Sequence, residues 1–276
     1  MSRTVKVGGV PEHFNLPWHL AIAEGAFDPL GVEVEWIDFP GGTGAIMGAL
    51  AAGEIDMATP LTEGAITAIA NGNSSELVSI WVDSPLLWGV HVAGASTADT
   101  IADVAGQRFA ISRFGSGSEL MSRVMAQDEG WTLTDESWVP VGNLDGALQA
   151  LPAGDAEVFL WNMSMTQPHV TDGTFKRVGV VPTPWPSFAI VSSGEFSADS
   201  PDLSKAVSTA ARQRANELQL DPGLAQLVVD RYGLDFDSAM AWAEQVSWTA
   251  PETSVDPAMI TAVTERMRSV GRISDQ

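Results

Sequence analysis

Three times in about the first seventy residues, a short β-branched run meets Gly, Pro or Thr and turns directly into a helical pattern: VKVGGVPEHFNLPWHLA, VEVEWIDFPGGTGAIMGAL and IDMATPLTEGAITAIA. Strand followed at once by helix is the grammar of a parallel α/β sheet. If the three strands lie side by side, three helix N-termini gather at the carboxyl edge of the sheet, each with free backbone N–H groups and a partial positive charge. That edge is where such sheets bind small molecules.

With 276 residues, 45% of them hydrophobic, the chain can bury a full core, and its length fits two modest domains. No run approaches the roughly 18 apolar residues of a membrane span. MSRTVKV leads straight into a strand without an apolar leader, so a cytoplasmic location is expected, or an extracytoplasmic one if a leader has been removed. The absence of cysteine excludes disulfides, thiolate catalysis and thiolate metal sites. His13, His19, His91 and His169 show no HExxH spacing, so neither a zinc site nor a cofactor is expected. A net charge of −21 would repel nucleic acid and an anionic bilayer, and is read here as solubility.

After a fourth strand, ELVSIWVD, and the extended LLWGVHVAG, a second strand–helix series begins. Its strands are QRFAIS, SWVPV and AEVFLW, followed by FKRVGVV and the Pro-rich TPWPSFAIVSS. Beyond Phe196 the pattern is almost purely helical, with a Ser-Pro helix start at SPDLSKAV. Two such series joined by two extended segments predict an α/β protein of two lobes. Residues 1–92 and 187–276 form the first, discontinuous lobe, and residues 93–186 the second. A cleft between facing carboxyl edges is the expected ligand site.

Several segments resemble, in order, the type II periplasmic-binding-protein fold, in the branch of NMT1/THI5-like and alkanesulfonate- or taurine-type solute-binding proteins. PWHLAIAEGAFDPLGVEVEW is similar to the first helix and second strand of that branch. GGTGAIMGALAAGEIDMATPLTEGA is similar to the second helix and the turn into the third strand, and TIADVAGQRFAISRFGSG to the entry of the second lobe. VFLWNMSMTQPHVTDGTFKRVGVVPTPWPSFAIV resembles the return hinge of a leaderless cytosolic subgroup. Where that subgroup carries Trp-Glu, this chain has Trp161-Asn162, a departure that bears on the charge the site prefers.

Candidate ligand-binding residues fall at the strand–helix junctions. In PEHFNLP, Glu12 and His13 can face the cleft, with an exposed loop as the alternative for His13; Asn15, just before a helical Pro, reads as an N-cap. Gly41, Gly42 and Thr43 allow close backbone approach to a ligand, or form a tight turn capped by Thr43; without a GKS or GKT ending they are no phosphate loop. Thr62 reads as the cap of the third helix, with Glu63 either structural in its first turn or paired with a cationic ligand. Arg113 with Ser116, Gly117 and Ser118 forms the strongest small-anion cradle, the alternative being that Arg113 pairs with a surface acid. Of ten tryptophans, Trp161 and Trp185 are the candidates for stacking on a ligand, whereas Trp18, Trp131 and Trp242 read as helix packing.

The resemblance implies a solute-binding protein that closes two lobes on a small organic metabolite without chemistry, with no catalytic residue assigned. A permease is a partner only if the chain is exported, and a monomer is expected. A planar, neutral or weakly cationic ligand such as a pyrimidine or thiamin precursor fits the tryptophans and acids, with a small anion second. The alternative is an enzyme of thiamin- or menaquinone-type cofactor biosynthesis on the same scaffold, in which His13 with Glu12 or Glu63 would be the acid–base pair.

Overall fold

A computed structural model describes residues 3–274. The chain begins β1 (Arg3–Gly9), α1 (Leu16–Ala23), β2 (Val32–Asp38), α2 (Gly42–Ala51), β3 (Met57–Thr59), α3 (Thr62–Ala70) and β4 (Glu76–Val82). It continues β5 (Leu87–Ala93), β6 (Phe109–Ile111), α4 (Gly117–Asp128), β7 (Trp138–Pro140), α5 (Leu144–Ala153), β8 (Val158–Asn162), α6 (Met163–Thr171) and β9 (Phe175–Pro182). It ends β10 (Phe188–Ser192), α7 (Gly194–Asp199), α8 (Pro201–Gln219), α9 (Leu224–Tyr232), α10 (Phe236–Ala243) and α11 (Pro257–Ser269).

Two compact units result: residues 1–85 with 185–276, and residues 86–184. The boundaries differ from the sequence expectation of 92/93 and 186/187. Leu87–Ala93 hydrogen-bonds on one side to β8 and on the other to β9, so the strand assigned from sequence to the first unit is an inner strand of the second. Trp185 and Pro186 go with the first unit, ahead of β10.

In the first unit the strand order is β2-β1-β3-β10-β4. The three opening strands are parallel, with Val5 opposite Val34 and Gly9 opposite both Asp38 and Thr59; β10 runs antiparallel to β3 and β4. Val5, Val7, Met57 and Ala58 are fully buried, and Ala58 shares a core cluster with Ile46 and Leu50 of α2 and Ala65 of α3. The edge strand β2 buries Val32 and Val34 but leaves Glu33 and Glu35 exposed. On α8, Val207, Ala211, Ala215 and Leu218 recur at helical spacing and are completely buried.

The second unit repeats the plan in the order β7-β6-β8-β5-β9, with β6, β7 and β8 parallel and β5 antiparallel to its neighbours. Trp88 stands opposite Asn162, which places the start of β5 beside the carboxyl end of β8.

One carbonyl organises the loop between β1 and α1. Phe14 O accepts the indole N–H of Trp81 at 3.1 Å and that of Trp248 at 3.2 Å, both buried. Its two acceptor sites are thereby filled from β4 and from the segment beyond α10. Because either indole alone still satisfies the carbonyl, Trp81→Phe or Trp248→Phe should each cost about 0.5–1.5 kcal/mol of hydrogen bonding beyond any repacking. The double variant, which orphans a buried oxygen, should lose more than the sum of the two; urea unfolding of the four-member cycle measures that coupling.

Candidate functional site

At the carboxyl edge of the first sheet, Asn15 is fully buried but does not cap α1. Its Nδ2 donates to Val10 O at 2.9 Å, and its Oδ1 accepts the Thr59 hydroxyl at 3.0 Å, so it bolts the end of β3 to the loop leaving β1. The expected cap is therefore a bridge instead. Thr43 is not a cap either: Gly41 occupies the N-cap position, Gly42 opens α2 at φ +70°, and Thr43 Oγ1 accepts the Leu61 N–H at 3.0 Å. Nor is Thr62, which is the first helical residue of α3 after Leu61 at the N-cap; among the described residues its buried Oγ1 has no hydrogen-bond partner.

His13 lies in an aromatic enclosure, only 4% exposed, rather than in an open loop. Its ring stacks on Phe14 at 4.7 Å and meets the edges of Trp242 at 4.5 Å and Tyr232 at 6.2 Å. Burial lowers its pKa to about 4, and among the described residues Nε2 has no hydrogen-bond partner. Glu12, half-buried just before it, is raised to about 7 by the same desolvation. Glu63, in the first turn of α3 and 3% exposed, accepts the Trp185 indole N–H on Oε2 at 2.8 Å. Burial raises its carboxyl to about 7 against the opposing pull of its own backbone N–H, that indole and the positive charge of Arg272.

The carboxyl edge of the second sheet is built differently. Ser116, expected in an anion cradle, caps α4 by accepting the Glu119 N–H at 3.3 Å. Ser118 Oγ takes the Ser112 N–H at 2.9 Å and lies 3.0 Å from Ser116 Oγ, so this hydroxyl shapes the loop. Glu119, which sequence reasoning missed, takes the Gly115 N–H at 2.7 Å and pairs with Arg123 at 2.8 Å. Gly117 has to be glycine: a Cβ there would lie 2.7 Å from the Trp88 ring. The first N–H groups of α4 have no helical partner, and Arg113 is exposed and makes no ion pair among the described residues. Trp161 is half-buried, stacked on Phe159 at 5.1 Å, while Asn162 caps α6 by accepting the Ser164 N–H at 3.0 Å. The indole N–H groups of Trp88 and Trp161 are buried without a hydrogen-bond partner among the described residues.

The structure thus gathers Glu12, His13, Asn15, Thr43, Thr62, Glu63 and Trp185 near one sheet edge, and Arg113, Ser116, Gly117, Trp161 and Asn162 near the other. Trp18 and Trp242 are buried on α1 and α10 as expected, but Trp131 is half-buried in a loop, not on a helix. Among the described residues no group of three or more His, Cys, Asp or Glu is placed to hold a metal ion, and no helix is long and apolar enough to cross a membrane.

This architecture is the type II periplasmic-binding-protein fold, the class expected from the sequence. A sequence model of the Ca3427-like PBP family matches residues 88–181. The chain is similar to the Candida albicans CA3427 gene product, with 24% identity over 99% of this chain and 92% of that one, and a TM-score of 0.87. It is also similar in structure to the periplasmic aliphatic sulphonate binding protein SsuA of Escherichia coli (14% identity, 100% and 95% covered, TM-score 0.77). A further likeness is to the periplasmic nitrate-binding protein NrtA of Synechocystis (13% identity, 99% and 83% covered, TM-score 0.73). No curated sequence matches the chain.

A histidine whose folded pKa is depressed stabilises the fold fully above its unfolded value and loses that contribution as pH falls through the folded one. For His13, shifted from 6.5 to about 4, the loss is at most about 3 kcal/mol between those pH values. Glu12 and Glu63 act in the opposite sense, and their contribution fades as pH rises from 4.5 through about 7. His13→Phe, which keeps a ring in the enclosure, should flatten the acid limb measured by denaturant unfolding at pH 7 and pH 4.5.

Proposed function

We propose that the protein is a solute-binding protein that holds a small organic molecule at the carboxyl edge of a sheet and performs no chemistry on it. The observation that carries this reading is that buried polar atoms without a partner among the described residues include His13 Nε2 and Thr62 Oγ1 at one edge and Trp88 Nε1 and Trp161 Nε1 at the other, besides others such as Trp18 Nε1 and Ser75 Oγ elsewhere. Leaving a buried donor or acceptor unpaired costs roughly 1–3 kcal/mol, so folded proteins seldom do so without a use. A polar ligand at either edge would satisfy the pair found there. The similarity to binding proteins of the same fold supports the reading.

Removing an indole N–H that has no partner should not weaken the free protein. Trp88→Phe and Trp161→Phe should therefore unfold at the wild-type denaturant concentration or above it, apart from small repacking effects. Each should bind the ligand retained from the host, identified by native mass spectrometry, less tightly by about 0.5–1.5 kcal/mol in a fluorescence titration. A ligand released chemically altered, with the change abolished in His13→Ala, would replace binding with catalysis as the function.

A further inference from the structure

The first sheet stops at β2, which pairs with β1 alone. Its seven residues keep unbroken register with Arg3–Gly9, without proline or bulge, so alternate N–H and C=O groups point away from β1. Among the described residues no hydrogen bond reaches that outer side. A recess of about 450 Å³ lies there, lined by Ile22, Phe27, Asp28, Val32, Glu33 and Val34 among others. Successive side chains of a strand turn to opposite faces, so a hollow touching Val32, Glu33 and Val34 alike follows the open backbone instead of one face of the sheet. Its lining joins the apolar Ile22 and Phe27 to the exposed Asp28 and Glu33, neither of which forms a salt bridge among the described residues. Bases near the start of the strand are engaged: Arg3, opposite Val32, reaches Ser200 and the Phe196 ring, and Arg214 holds both oxygens of Glu24. Thr4 stands opposite Glu33, Lys6 opposite Glu35, and Arg231 and Asp38 act on His19 from the far end.

We propose that this open edge docks an extended basic segment of a partner protein. The segment adds to β2 as a sixth strand, places apolar side chains in the recess beside Ile22 and Phe27, and sets lysine or arginine against Glu33 and Asp28. In such an addition main-chain bonds supply affinity, and pockets for alternate side chains supply the choice of sequence. Opposite charges directly across two strands attract and like charges repel, so Glu33 selects the sign of the residue that faces it. The inference stands apart from the solute-binding reading, because it uses none of the candidate ligand-binding residues.

The full chain is mixed with three capped peptides of seven residues, the length of β2, in about 0.15 M salt, where charges further apart than roughly 8 Å are screened. One peptide alternates lysine and valine, the second is the same with a central proline, and the third alternates glutamate and valine. Calorimetry gives the affinities, and hydrogen exchange locates the bound peptide. The lysine–valine peptide should bind at least about tenfold more tightly than either of the others and slow amide exchange in β2. Glu33→Lys, at an exposed position, should weaken that peptide about fivefold and improve the glutamate–valine one. Equal binding of the proline peptide overturns the assignment, because attraction to net charge needs no strand. Protection confined to segments outside β2, unaltered affinities in Glu33→Lys, or no binding of any peptide overturns it too. Concentration-dependent dimers of the chain alone, protected along β2, overturn it by giving the edge to a second copy.

Discussion

The geometry of the first sheet's edge depends on a single oxygen. Phe14 O joins the loop after β1 to Trp81, 67 residues away, and to Trp248, 234 residues away. Each bond is ordinary in strength, but a carbonyl with both lone pairs engaged by rigid indoles has no freedom to rotate. The residues on either side inherit that immobility. His13 is pressed against the Phe14 ring, and Asn15 reaches back to Val10 and across to Thr59.

The strand–helix alternation of the opening series and the helical ending were legible in the spacing of β-branched runs and Gly, Pro or Thr junctions, whereas the order β2-β1-β3 was not. Ser116, read from sequence as part of an anion cradle, caps its helix through the N–H of Glu119, three residues on. Where the partner is remote, pattern fails. Asn15 and Thr43 carry cap-forming side chains at cap-like positions, yet their oxygens serve Thr59 and Leu61, because tertiary donors reach them first. The bond between Trp185 and Glu63 spans 122 residues and has no sequence signature. The unit boundary failed for the same reason, since an apolar strand such as β5 belongs to whichever sheet supplies its hydrogen-bond partners.

The two edges solve opposite electrostatic problems with the same topology. On the second sheet, a capped helix start and the Arg113 guanidinium favour negative charge, and the serine hydroxyls are spent on holding the loop in shape. On the first, acids sit in low-dielectric surroundings, where desolvation is partly offset by an indole or by a distant arginine. Burying carboxyls in a chain already at −21 works because they hold protons near neutrality instead of adding to the net charge.

The outer strand β2 exposes Glu33 and Glu35 on alternate positions while Val32 and Val34 turn inward. An open strand of seven residues is a template onto which another chain can add, the first step toward fibrillar association. Two copies approaching along this border bring like charges together before any main-chain bond can form, so the same alternation that fills the interior also keeps neighbouring molecules apart in a crowded solution.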